Sequence, residues 1–333
     1  MNDEKVSFDY IVTPYQESIP NVIKMNPVIY WLLFATVLIA FDHYALIHFD
    51  ERPSIHIPHF ILGSLSCIIP LATIWFSKIL EDFTPSLFMF IDWEEERTLK
   101  WYSEEIRSIF DDKWMMWSGV IMTSCMLPIS FIIGQLVPTN LIPKLTFLAI
   151  MISLYFLAGS LIYVMIRICI MVNKLGDIDA IKVSVYQHPM VSVKAVGKLM
   201  GKISFTIIGI YIYGITYLIF TRSDMLMIFI TIFFGVFVLV FFIFPQIKVH
   251  KIMSKVKHKR LMVFSTYLEN ALQDVTDDPS QQNIQRVKEL FGIQQSLVEM
   301  GEWPFNTKIL FPLLAGIATP LIIAILQLIC GEH

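Results

Sequence analysis

Charge is scarce in this chain. Only 16% of its 333 residues are Asp, Glu, Lys or Arg, against about 25% in soluble domains. That shortage excludes a soluble enzyme and a disordered chain. Net charge is −3, so no excess of basic residues points to nucleic acid. Cysteine is rare as well. Cys67, Cys125, Cys169 and Cys330 lie in or at the end of apolar runs, and no pair has metal-ligand spacing. They read as small buried hydrophobes, which excludes a disulfide scaffold. HExxH, GxSxG and phosphate-loop motifs are missing. The sequence therefore implies neither an enzyme nor a cofactor.

Apolar residues fill the gap. They make up 56% of the chain, and mean hydropathy is +0.64. A membrane span needs about 20 apolar residues to cross about 30 Å of hydrocarbon. Seven runs qualify, at about 27–47, 57–80, 115–137, 143–172, 203–221, 225–247 and 306–330. Residues 83–91 are apolar but too few to cross, and read as interfacial. The first 26 residues are polar and mixed in charge, unlike a cleavable signal peptide. The run from 27 is therefore expected to be a permanent span.

Lys and Arg are retained on the cytoplasmic side. With the N-terminus inside, only Arg52, Lys144 and Arg222 of the 25 Lys and Arg fall outside. The expected fold is all-α: a single polytopic domain over 1–333, with seven transmembrane helices, the N-terminus inside and the C-terminus outside. G-protein-coupled receptors have the opposite orientation, and their DRY-type and NPxxY motifs are missing.

The outer loops are short, and the mass outside the bilayer is inside the cell. Residues 93–113 place Leu99, Tyr102, Ile106 and Ile109 at helical spacing, with Glu94, Glu95, Glu96, Glu104 and Glu105 on the other side. Span 4 is longer than the membrane needs and is expected to tilt or project inward. Residues 181–202 read as an inner extension of span 5. After span 6, Ile252, Val256, Val263, Tyr267, Ala271 and Val275 recur at helical spacing. Asp277 to Ser280 then makes a turn and a new N-cap. A second helix follows to about Met300, stopped by Gly301. The portions at about 173–202 and 248–302 are expected to pack as a cytoplasmic bundle, because an amphipathic helix must bury its stripe; the alternative is a monomeric hairpin lying on the membrane surface. The basic run 248–260 reads as topological retention plus contact with anionic lipid, with lipid sensing as the sharper alternative.

Few residues offer chemistry. His43, His48, His56 and His59 cluster near the first outer loop with Asp42, Asp50 and Glu51. They read as polar interfacial filling, or as a metal or proton site. Tyr44, Tyr155, Tyr213 and Tyr217 fall in the outer halves of spans. With His59 and Gln135 they line a ligand cavity between helices, or else anchor the helices at the interface. The last span holds Pro312, Gly316, Ala318, Thr319, Pro320, Ala324 and Gln327 among Leu and Ile. Small residues permit close packing, and proline is tolerated where a helix meets protein or water. Gln327, near its outer end, forms a pore constriction around an oligomer axis, or simply reaches outer-surface water.

This topology resembles the seven-transmembrane ion channel superfamily, the insect odorant and gustatory receptor-like proteins. Members often carry Thr-Tyr, five hydrophobic residues and Gln-Phe in the last span. Here Thr319-Pro320 is followed by six residues, 321–326, and then Gln327-Leu328. The resemblance implies a homotetramer in the plasma membrane, acting as a ligand-gated, non-selective cation channel. A small-molecule ligand would sit in the outer halves of spans 2–6, and the last span would line the pore. Thr319 and Gln327 are the motif counterparts, and Ile323 and Leu326 are the neighbouring apolar gate residues. The alternative is a non-conducting membrane scaffold or signalling protein acting through its cytoplasmic bundle. A transporter is disfavoured by the want of a midplane carboxylate. The sequence names neither a ligand nor an ion selectivity.

Overall fold

The computed structural model describes residues 14–91, 93–133, 137–178, 191–216 and 225–299, together with Ala315, Ala318, Thr319, Ile322 and Leu326. Among these the fold is all-α, with no strand. The helices are α1 (Tyr15–Val22), α2 (Pro27–His48), α3 (His56–Phe90), α4 (Glu95–Ile109), α5 (Asp112–Ile133), α6 (Leu141–Asp177), α7 (Val191–Ile215), α8 (Met225–Asp277) and α9 (Gln281–Glu299). Five of the described helices are long and apolar enough to cross a membrane. That is the make-up of a multi-pass membrane protein. The sixth run lies within α8. The last lies almost wholly outside the described residues.

Local chemistry sets the helix ends. Lys24 takes a left-handed backbone (φ 55°) and turns the chain from α1 into α2. Asn26 then caps α2, its side chain accepting from Val28 N at 2.9 Å, with Pro27 in the first turn. Asp50 (φ 50°) turns the chain again before α3. Ser280 opens α9 by accepting from Asn283 N at 3.3 Å.

The end of the bundle that carries α4 is called the inner end, after the charge count. α3 and α6 form the centre. α3 packs on α2, α4, α6 and α7, and α6 packs on α2, α3, α4, α5 and α8. Phe76, Leu80, Phe147, Ile150, Val164 and Ile168 are fully enclosed between them. Within lipid such contacts stabilise by close packing rather than by expulsion of water. α5 and α6 cross at glycine. A Cβ on Gly159 would stand 2.5 Å from Ser118 O, and one on Gly119 would stand 2.7 Å from Phe156 O. Ser118 Oγ donates to Gly159 O at 2.8 Å across the same crossing.

The inner end departs from the sequence reading in two ways. Residues 83–91 are not a separate interfacial piece. α3 runs through Lys78, Glu81 and Asp82 without a break, and Phe83, Leu87 and Ile91 pack with Tyr102, Ile106 and Ile109 of α4. Charge at the surface lowers hydropathy there but leaves the helix intact. Glu105 also lies on the packed side of α4, not with the solvated glutamates. It is buried and pairs with Lys174 Nζ of α6 at 2.5 Å. That pair ties α4 to the inner extension of α6.

α1 docks against the same end. Tyr15 OH meets Ser160 Oγ at 2.9 Å, and Tyr15 N donates to Asp112 Oδ1 at 3.1 Å. Trp31 Nε1 donates to Gln16 O at 2.7 Å. Burial pushes the Tyr15 hydroxyl up to about 12. α8 runs 53 residues and continues far past its apolar part, where it pairs with α9.

Candidate functional site

The outer half of the bundle holds a small polar network in an apolar setting. Asp42 of α2, His59 of α3 and Thr146 of α6 meet there. His59 Nδ1 lies 2.9 Å from Asp42 Oδ2, and Thr146 Oγ1 donates to Asp42 Oδ1 at 2.6 Å. Asp42 is 2% exposed and His59 1%. The imidazole stacks on Phe147, with centroids 4.8 Å apart and planes 28° from parallel. An intramembrane ionisable group persists where it is paired, and such groups mark function more often than not.

The other pocket residues fall in this neighbourhood or outside it. Tyr155 of α6 bonds Ser130 of α5. Phe131, next to Ser130, packs edge-on to Phe147. A chain of aromatic contacts thus links His59 to the Tyr155 region. Tyr213 of α7 bonds Ser64 of α3 at 2.6 Å, just over one helical turn from His59. His59, Tyr155 and Tyr213 each use the polar tip to join two helices. Tyr44 does not join them. It is 67% exposed and stacks on His48 along the outside of α2. Gln135 and Tyr217 lie outside the described residues.

A groove of about 720 Å³ opens beside the network, between α2 and α6. Tyr30, Phe34, Val37, Phe41, Leu145 and Thr146 are among its walls. Thr146 is thus shared by the groove and the Asp42 network. An apolar wall with two hydroxyl-bearing residues, Tyr30 and Thr146, suits a largely hydrophobic ligand with a small polar part.

The histidine-rich outer loop resolves into pairs. His43 packs edge-on to His56 at 5.0 Å. Among the described residues no three His, Cys, Asp or Glu converge to hold a metal. Glu51 instead seals the loop. Its carboxylate accepts from Asn140 N at 2.7 Å, from Asn140 Nδ2 at 3.0 Å and from Thr139 Oγ1 at 2.9 Å. This is the N-terminus of α6, where a carboxylate is favoured. Burial raises the Glu51 pKa, but the hydrogen bonds from Asn140 and Thr139 outweigh it, so the carboxyl sits below its ordinary range.

Of the residues expected to line a pore, Thr319 and Leu326 are described. Both are exposed and helical, as are Ala315, Ala318 and Ile322. Thr319 Oγ1 bonds back to Ala315 O at 2.8 Å. Ile323 and Gln327 lie outside the described residues. Arg260 differs from the rest of its basic run. It is buried on the stripe of α8 that holds Met253, Phe264 and Ala271, and burial lowers its pKa.

The Asp42–Thr146 bond joins residues 104 apart in the chain, and no local pattern announces it. The signal available in the sequence was a single carboxylate inside an apolar run. No family model, no curated protein and no solved structure matches the chain.

Proposed function

We propose that the chain is a receptor-like, ligand-gated, non-selective cation channel of the plasma membrane, working as a homotetramer. The reading is carried by a row on the last apolar segment. Ala315, Thr319, Ile322 and Leu326 recur at four, three and four residues, and each is exposed on the single chain, as is Ala318 beside them. A row at that spacing lies on one helix face. In a symmetric oligomer, four copies of such a face surround an axis. Leu326 and Ile322 then form an apolar constriction that gates by dewetting, with the Thr319 hydroxyl one turn away from Ile322. Ligand enters from lipid along the α2–α6 groove and meets Thr146 and, through it, Asp42.

The test has two stages. Native mass spectrometry from lipid nanodiscs measures the number of subunits, and four are expected. Single-channel recording in planar bilayers then compares wild type with Leu326→Ala and Gln327→Ala. Altered conductance or leak, with assembly intact, supports the reading. A monomer, or identical currents in both variants, removes the last span from any pore.

The second reading is a non-conducting scaffold or signalling protein. The apolar surface of the α8–α9 hairpin favours it as much as it favours a channel. Tyr267, Phe291 and Val298 lie exposed outside the apolar spans, and such a patch calls for a partner. An oligomer without currents under any applied ligand selects this reading.

A further inference from the structure

A second crevice lies between α6 and α8, and its chemistry is graded along its length. Its volume is about 480 Å³. Ile166, Ile170, Val240 and Phe244 wall it with exposed apolar side chains, and Asn173 and Lys248 close one end. From Val240 to Lys248 the helix rises about 12 Å. The Lys248 ammonium stands over the Phe244 ring, 5.7 Å from its centroid. Both helices run from the outer end to the inner end, so both polar residues fall at the inner membrane edge. Lys251 and Lys255 follow on the same side of α8 at helical spacing. Asp177 lies one turn beyond Asn173 on α6, and Glu105 pairs with Lys174 next to Asn173; neither lines the crevice.

We infer that this crevice binds one anionic phospholipid of the inner leaflet, with its acyl chain against Ile166, Ile170, Val240 and Phe244 and its phosphate on Lys248 and Asn173. The occupant follows from the gradient. A tail alone would need no cation, and a free phosphate would need no apolar wall. The inner leaflet supplies anionic head groups at the depth where Lys248 sits. Phe244 lies under the ammonium in a cation–π contact, which favours its place at the lip of the crevice. Asn173 adds an amide donor at a distinct position, which makes the end of the crevice a shaped site rather than a diffuse charge. The inference rests on the orientation of the helices and stands whether or not the protein conducts.

The test uses the full chain in mild detergent and native mass spectrometry. Dioleoyl phosphatidylglycerol and dioleoyl phosphatidylcholine are titrated separately. One phosphatidylglycerol per subunit is expected to be held about fivefold more tightly than phosphatidylcholine, the preference worth one lysine near a membrane surface. Lys248→Gln should abolish that preference, whereas Lys288→Gln on the exposed part of α9 should keep it. Ile170→Trp fills the crevice and should lower occupancy by both lipids. The inference is overturned if Lys248→Gln keeps the preference, if Lys288→Gln removes it equally, or if Ile170→Trp leaves occupancy unchanged. It is also overturned if neither lipid is retained because a second copy covers the crevice.

Discussion

Asp42 and His59 stand 2.9 Å apart in a part of the bundle that water does not reach. Each secures the other, and Thr146 satisfies the second carboxylate oxygen. Three helices, α2, α3 and α6, are thereby pinned at one point. Removing one member takes a hydrogen bond from a buried polar group, which costs about 1–3 kcal/mol. Asp42→Ala and His59→Ala should each lower the unfolding temperature in nanodiscs by several degrees. Asp42→Asn keeps an acceptor for Thr146 and should lose less. Equal melting of all three variants and wild type would show that the network does not hold the helices.

The seal on the outer loop gives a pH dependence of known sign. The Glu51 carboxyl is held below its ordinary range by donors from Asn140 and Thr139. Its stabilisation is therefore fully present above the ordinary carboxylate range, near pH 4.3 for glutamate. It is lost as pH falls through the lowered value, because the protonated acid accepts these bonds without the negative charge that strengthens them. Glu51→Gln should flatten this acid limb of stability and leave neutral-pH melting slightly lower. An acid limb that persists unchanged in Glu51→Gln belongs to other groups.

The α5–α6 crossing predicts a steric effect. Gly159 faces Ser118 O and the Met122 side chain at distances no Cβ tolerates. Backbone cannot move aside as a flexible side chain does. Gly159→Ala should cost about 1–3 kcal/mol by overpacking. Gly209 has open space around its Cα, so Gly209→Ala serves as the matched control and should be neutral or mildly stabilising. A tolerated Gly159→Ala would mean that the two helices separate easily.

The parts of this fold that were legible in the sequence are those with a local physical cause. Hydropathy over 20 residues marks a helix that can cross lipid, and the described helices of that kind fall where the apolar runs do. Asp277, Asp278 and Ser280 announce the turn between α8 and α9 by their preference for helix ends. Long-range features gave no such signal. Lys78, Glu81 and Asp82 lower the hydropathy of α3 just where its packed face, Phe83 and Leu87, continues inward. Glu105 reads as one more acidic residue until Lys174, from a distant helix, is seen beside it. Thr146 looks like any threonine in an apolar run. The Gly119–Gly159 crossing depends on which two helices meet, which periodicity within either one does not encode.

The α8–α9 hairpin carries the prediction about assembly. Leu297 is buried against α8, and Lys257 Nζ donates to Val298 O at 2.8 Å, so the two helices are joined. Their apolar residues are nonetheless not all covered. Phe291 is 58% exposed and Tyr267 49%. These residues lie outside the apolar spans, and water penalises an exposed aromatic by about 1.5–3 kcal/mol relative to burial. A partner surface on a second copy removes that penalty at each subunit contact. Phe291→Glu and Tyr267→Glu should therefore shift the protein toward monomer in native mass spectrometry. Neither change should lower the melting temperature of the isolated subunit, because neither side chain is enclosed within it. Loss of assembly with unchanged subunit stability would place the contact on this hairpin. Retained assembly would mean that the transmembrane helices hold the oligomer together, and the hairpin would then be free to engage a different partner.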